Sequence, residues 1–243
     1  GTPDDPNTPD IDEAFNLENF LDGVVKTRDL LVALRTTTNP VATGSNQRIA
    51  FAKLFNITFV AGSTATPSQK ELEVLFGITG YVDDRGIRAF NKDLFLDILV
   101  KANNLLTALR ANASYRNAFQ VLFNVTLPAG KIAYNLTSSA NAAIVEKDLA
   151  LRTVLFNVTG TTGYTQSGFL TQALLQTYNF LVELRKAGTP ALLNRRNAFN
   201  NLFNETVEAP PVSPSLLSLL FSFTGDPNLR LTVFLANLVK TNT

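Results

Sequence analysis

Apolar residues recur three and four positions apart over most of the chain, the spacing that gathers them on one side of a helix. From Phe20 to Arg35 the stripe is Phe20, Leu21, Val24, Val25, Leu30, Leu31 and Leu34. A related stretch runs from Phe95 to Arg110 and another from Leu170 to Arg185, so the closing arginines Arg35, Arg110 and Arg185 stand 75 positions apart. A fourth opens at Phe234-Leu-Ala-Asn-Leu-Val-Lys-Thr-Asn242. Repetition at this length implies one supersecondary unit copied and stacked.

Two shorter motifs follow each long stripe. The first is Arg48-Ile-Ala-Phe-Ala-Lys-Leu-Phe-Asn56, matched by Arg116 to Asn124 and Arg196 to Asn204. Its Ala, Phe, Leu and Phe put one apolar face on about two helical turns. The second is Leu75-Phe-Gly-Ile-Thr-Gly80, matched by Leu155 to Gly160 and Leu220 to Gly225. Thr66-Pro67 and Ser213-Pro214 read as a capping hydroxyl followed by proline at the first helical position. The pattern therefore predicts an all-α repeat array of about three 75-residue units, each one long and two short helices, plus a partial fourth. The expected divisions are an extended arm at 1–10, units at 11–85, 86–163 and 164–226, and the partial unit at 227–243, all in one continuous body. The β-branched segments Asn56 to Val60 and Val121 to Leu127 leave room for short strands, but the repeated Leu-Phe endings favour helix termini.

Composition narrows function by exclusion. His, Cys, Met and Trp are all absent from the 243 residues. Without Cys there is no disulfide, thiolate nucleophile or zinc-thiolate site. Without His the usual general base and the commonest transition-metal ligand are missing. Nothing marks a nucleophile elbow or oxyanion loop, so no catalytic, cofactor or metal residue is assigned, and the chain is expected not to be an enzyme. A net charge of +1 gives no electrostatic footprint for nucleic acid, and no apolar run is long enough to span a membrane. With no initiator Met, the chain reads as processed or as part of a longer product. Resistance to oxidation fits an extracellular setting.

Smaller constellations have plain readings. The acidic residues Asp4, Asp5, Asp10, Asp12 and Glu13 lack a calcium-loop pattern and read as a solvated arm. Asp83-Asp84-Arg85-Gly86 reads as a turn. Arg35, Arg110 and Arg185 sit where a cation complements a helix end and reaches free carbonyls; an anion groove is the rarer use. Most of the 18 phenylalanines fall at repeat positions and are expected in the core, although helices diverging around them would leave an apolar chamber.

Six Asn-x-Ser/Thr sequons occur, at Asn56, Asn112, Asn124, Asn135, Asn157 and Asn204. Four of them, Asn56, Asn124, Asn157 and Asn204, follow a Leu-Phe pair where another copy has Gly77, so a left-handed helix cap is the first expectation. A cap of that kind is exposed and compatible with an N-linked glycan, best at Asn56, Asn124 and Asn204. The expected function is that of a secreted, non-enzymatic, structural or self-assembling helical-repeat glycoprotein. Its expected partner is itself, as homo-oligomer or filament, through the stripe Phe234, Leu235, Leu238 and Val239, unless that stripe folds back on the third unit. The alternative is an extracellular carrier or storage protein holding an apolar small molecule, lipid or pigment.

Overall fold

A computed structural model describes residues 17–36, 41–80, 90–127, 149–186, 188–207, 210–226 and 229–241. The arm at 1–10, the acidic cluster, Asp83–Gly86 and Asn135 lie outside these residues. The fold is all-α: among the described residues there are helices and no strand. In chain order they are α1 (Leu17–Arg35), α2 (Val41–Phe55), α3 (Gln69–Thr79), α4 (Lys92–Ala111), α5 (Ala113–Phe123), α6 (Leu149–Thr159), a π-helical segment (Gly168–Leu174) running into α7 (Leu175–Arg185), α8 (Pro190–Phe203), α9 (Pro214–Thr224) and α10 (Leu231–Thr241). The chain forms two compact units, residues 1–100 and 101–243, and the division falls inside α4.

In the first unit α1 packs on α2 and α3. Leu30, Leu34, Phe51 and Leu75 are fully buried between them. The core is extended by ring contacts, Phe51 stacked on Phe55 at 4.6 Å and tilted against Phe59 at 5.3 Å between centroids. α3 begins two residues later than Thr66-Pro67 suggests. Ser68 is its N-cap, and the Glu71 carboxylate reaches back to accept from the Ser68 N–H at 2.6 Å. That reciprocal capping box satisfies two orphan donors at once and outweighs a lone threonine cap. Ser213 and Pro214 do take the expected cap and first helical positions of α9.

In the second unit α7 is central, packing on α5, α8 and α9, while α10 lies on α8. Phe180 of α7 is fully buried, with the rings of Phe199, Phe223 and Phe234 edge-on at 5.9, 6.0 and 5.4 Å. Asn112 caps α5, its Oδ1 accepting from the N–H groups of Ser114 and Tyr115 at 2.9 and 3.2 Å.

The short motifs behave alike wherever they occur. Asn56, Asn124 and Asn204 each take a left-handed φ, of 55°, 51° and 52°, where the helix must stop and a short polar side chain tolerates the turn. The backbone then runs extended with alternating faces: Thr58, Thr126 and Thr206 point out, while Phe59, Leu127 and Val207 are buried. The first two segments include Asn56 to Val60 and the end of Val121 to Leu127, which begins inside α5, and among the described residues no strand pairs with them. Asn157 behaves differently. It lies within α6, as Gly77 lies within α3, so the cap reading is corrected at both positions. Each of these helices continues to a buried threonine, Thr79, Thr159 or Thr224, and Gly80, Gly160 and Gly225 follow.

The recurrent arginines staple these segments to helix ends. Arg35 Nη1 donates to the Ala65 carbonyl at 2.7 Å, and its guanidinium lies over the Phe59 ring at 5.9 Å. Arg185 Nε donates to the Val207 carbonyl at 2.6 Å, and burial holds this guanidinium below its ordinary pKa, with Tyr178 opposing. Arg48 and Arg116 reach back to the carbonyls of Thr36 and Arg110 at 2.8 and 3.3 Å. These contacts are with backbone carbonyls, the helix-end role rather than an anion groove.

Candidate apolar groove

The second unit contains an open groove of about 740 Å³, within the range of roughly 300–1,000 Å³ that small-molecule sites occupy. Its walls come from three places far apart in sequence: Phe123 at the end of α5, Val158 near the end of α6 with Thr161 to Tyr164 beyond it, and Leu217 and Phe221 of α9. Phe169 of the π-helical segment forms part of the wall, its ring 6.1 Å from Tyr164 and 6.5 Å from Phe119. Phe123 and Phe221 stand 6.0 Å apart. Among the described residues no charged side chain lines the groove, and the polar ones are hydroxyls and amides such as Thr161, Thr165 and Gln172. Such a lining suits a neutral, largely apolar molecule.

Local sequence explains the shape. A turn closes from the Tyr164 N–H to the Thr161 carbonyl at 3.0 Å, with Gly163 at φ +76°, a conformation that glycine adopts without strain. Gly168 opens the π-helical segment; a Cβ there would lie 2.7 Å from Thr165 Oγ1. π-Helical turns are rare and concentrate at functional sites, and this one borders the groove.

Burial pushes the Tyr164 hydroxyl up to about 12. The unfolded residue ionises near pH 10. Between those values the unfolded chain has lost a proton that the folded chain keeps, so stability falls as pH rises from about 10 to about 12. Ultraviolet titration should show one tyrosine ionising late, and Tyr164→Phe should remove that step and flatten the alkaline loss of stability.

The sequons are scattered. Asn124, Asn204, Asn112 and Asn157 are exposed and Asn56 is half-buried. Asn157 borders the groove, and the hydroxyl of its sequon threonine, Thr159, is buried and bonded to the Leu155 carbonyl at 2.8 Å. Asn56, Asn124 and Asn204 are followed by exposed Thr58, Thr126 and Thr206. Because φ is positive at all three, Asn204→Ala should cost about 1 kcal/mol while Asn204→Gly should be close to neutral; urea midpoints measure both.

The C-terminal stripe is used inside its own unit. Leu235 and Leu238 are 3% and 5% exposed, and Phe234 lies 4.9 Å from Phe223. The fold-back alternative is therefore the one the packing supports. Its counterpart on α1 is the opposite: Phe20, Leu21, Val24 and Val25 are 45%, 52%, 37% and 51% exposed. The sequence-stripe reading missed that contrast, because the two stripes are nearly identical.

The molecule is thus all-α, with an apolar groove in one unit and an exposed apolar helix face in the other. No family model, curated protein or solved structure matches the chain. Among the described residues no group of three or more metal-ligating side chains is brought together, and no helix is long and apolar enough to cross a membrane.

Proposed function

We propose that the protein is a secreted, non-enzymatic, self-assembling structural glycoprotein. One observation carries this reading: the apolar side of α1, where Phe20, Leu21, Val24, Val25 and Val32 are all exposed. Single exposed apolar residues are ordinary, but a contiguous patch on one helix face marks an interaction surface. The absence of His and Cys supports the non-enzymatic part, and the exposed sequons at Asn124 and Asn204 support glycosylation. The carrier reading has its own support in the apolar groove beside Tyr164 and Phe169.

Native mass spectrometry of protein from its source separates the two. A large homomer without small molecules supports assembly; a monomer retaining an apolar compound supports the carrier. Glycosidase treatment in the same experiment should lower the mass if Asn56, Asn124 or Asn204 carries sugar, and an intact mass equal to that of the sequence would remove the glycoprotein claim.

A further inference from the structure

A polar atom in the wall of the groove is left unmet by the fold. Tyr164 lines the groove, and its hydroxyl is buried with no hydrogen-bond partner among the described residues. Polar wall residues such as Thr161, Thr165 and Gln172 are exposed instead, so water serves them. A buried hydroxyl without a partner forfeits the hydrogen bonds that it makes to water when unfolded. A water would meet it only if further polar groups held that water in place. Burial pushes the Tyr164 pKa up to about 12, so at neutral pH the group keeps its proton and is a donor. The apolar part of the wall is open as well. Phe123, Phe169 and Phe221 are half-buried, where Phe51, Phe119, Phe180 and Phe199 of the repeat cores are fully buried.

We propose that the groove binds a neutral, flat, apolar small molecule through one carbonyl oxygen, which accepts from the Tyr164 hydroxyl. The inference rests on the carrier reading of the groove and names its ligand class and the atom that recognises it. It requires nothing of the self-assembly reading. Each property of the ligand follows from the wall. The molecule is neutral because no charged side chain lines the groove among the described residues, and an ion entering it would lose hydration without gaining a counter-charge. It is flat and apolar because two ring pairs face it, Phe123 with Phe221 at 6.0 Å and Tyr164 with Phe169 at 6.1 Å. Such rings offer faces and edges for stacked or edge-on contact. The recognised group is a carbonyl because a carbonyl only accepts. An alcohol would satisfy Tyr164 but bring a proton that needs an acceptor of its own.

The test uses the full chain and two probes, fluorenone and fluorene, which share a flat three-ring body and differ in the carbonyl. Fluorenone should bind wild type, and Tyr164→Phe should weaken it about tenfold while leaving the affinity for fluorene unchanged. The variant keeps the ring and removes a donor that the free protein leaves unmet, so it should fold as wild type does. Infrared spectra supply a readout that altered packing alone would not move. The carbonyl stretch of bound fluorenone should lie below its position in hydrocarbon solvent with wild type, and return to it with Tyr164→Phe. Ser218→Trp, at an exposed position of the wall, should block both probes. If Tyr164→Phe weakens both probes alike or neither, or the stretch is unshifted, the hydroxyl does not recognise the ligand. The inference then fails and the carrier reading stands. If wild type binds neither probe, or Ser218→Trp leaves fluorenone bound, the inference and the groove's part in the carrier reading fail together.

Discussion

Phe180→Ala is expected to destabilise the second unit by about 3–5 kcal/mol. The ring is fully buried and meets three others edge-on, from α8, α9 and α10. Truncation removes its transfer free energy, leaves a cavity that four helices cannot close without repacking, and loses edge-to-face pairs worth about 0.5–1.5 kcal/mol each. Part of that last contribution is already inside the larger figure. Urea unfolding followed at the second unit should show a lower midpoint with an unchanged slope. Val60→Ala is the control, because Val60 is 67% exposed and the change should fall within about 0.5 kcal/mol of wild type. Equal effects at the two positions would mean that the four-ring cluster is not what holds this unit together.

The helices were legible because periodic apolar stripes and their caps are local. Ala118, Phe119 and Leu122 of α5 are buried as their spacing requires, and Ser213-Pro214 starts α9 where expected. The Leu-Phe-Asn signal was ambiguous for a physical reason. At Asn56, Asn124 and Asn204 an alternating extended segment follows and takes the chain out of the helix. At Asn157 the residues that follow are Val158, Thr159 and Gly160, and the buried threonine carries the helix on to glycine. Reading three residues further would have separated the two cases. The groove was not legible at all. It needs Phe123, Tyr164 and Phe221 to meet across the second unit, and the π-helical segment beside it carries the same stripe as ordinary α-helix in α4. The two matching stripes were equally opaque: whether an apolar face is covered depends on which helix lies against it in space, and α1 and α10 share that face in sequence.

The buried threonines supply a prediction whose asymmetry tests the hydrogen-bond directions. Thr27 and Thr79 lie 2.6 Å apart, oxygen to oxygen, between α1 and α3. Thr79 already donates its only hydroxyl proton to the Leu75 carbonyl at 3.0 Å, so it must accept from Thr27. Thr177, Thr224 and the Leu220 carbonyl repeat the relay in the second unit, at 2.6 and 3.0 Å. Removing the acceptor strands a buried donor, whereas removing the donor leaves Thr79 still bonded to its own helix. Thr79→Val should therefore cost about 1–3 kcal/mol, and Thr27→Val distinctly less. Position 102 of the chain, which corresponds to Thr27 and Thr177, holds alanine, and Thr159 keeps its bond to Leu155 without a threonine at that position. The double variant should recover part of the Thr79→Val loss, since with both hydroxyls gone no buried donor is left unmet. Denaturation of the two single variants and the double variant gives the coupling directly. Equal losses from both single variants would reverse or abolish the assigned direction, and strict additivity would remove the pair as an interaction between α1 and α3.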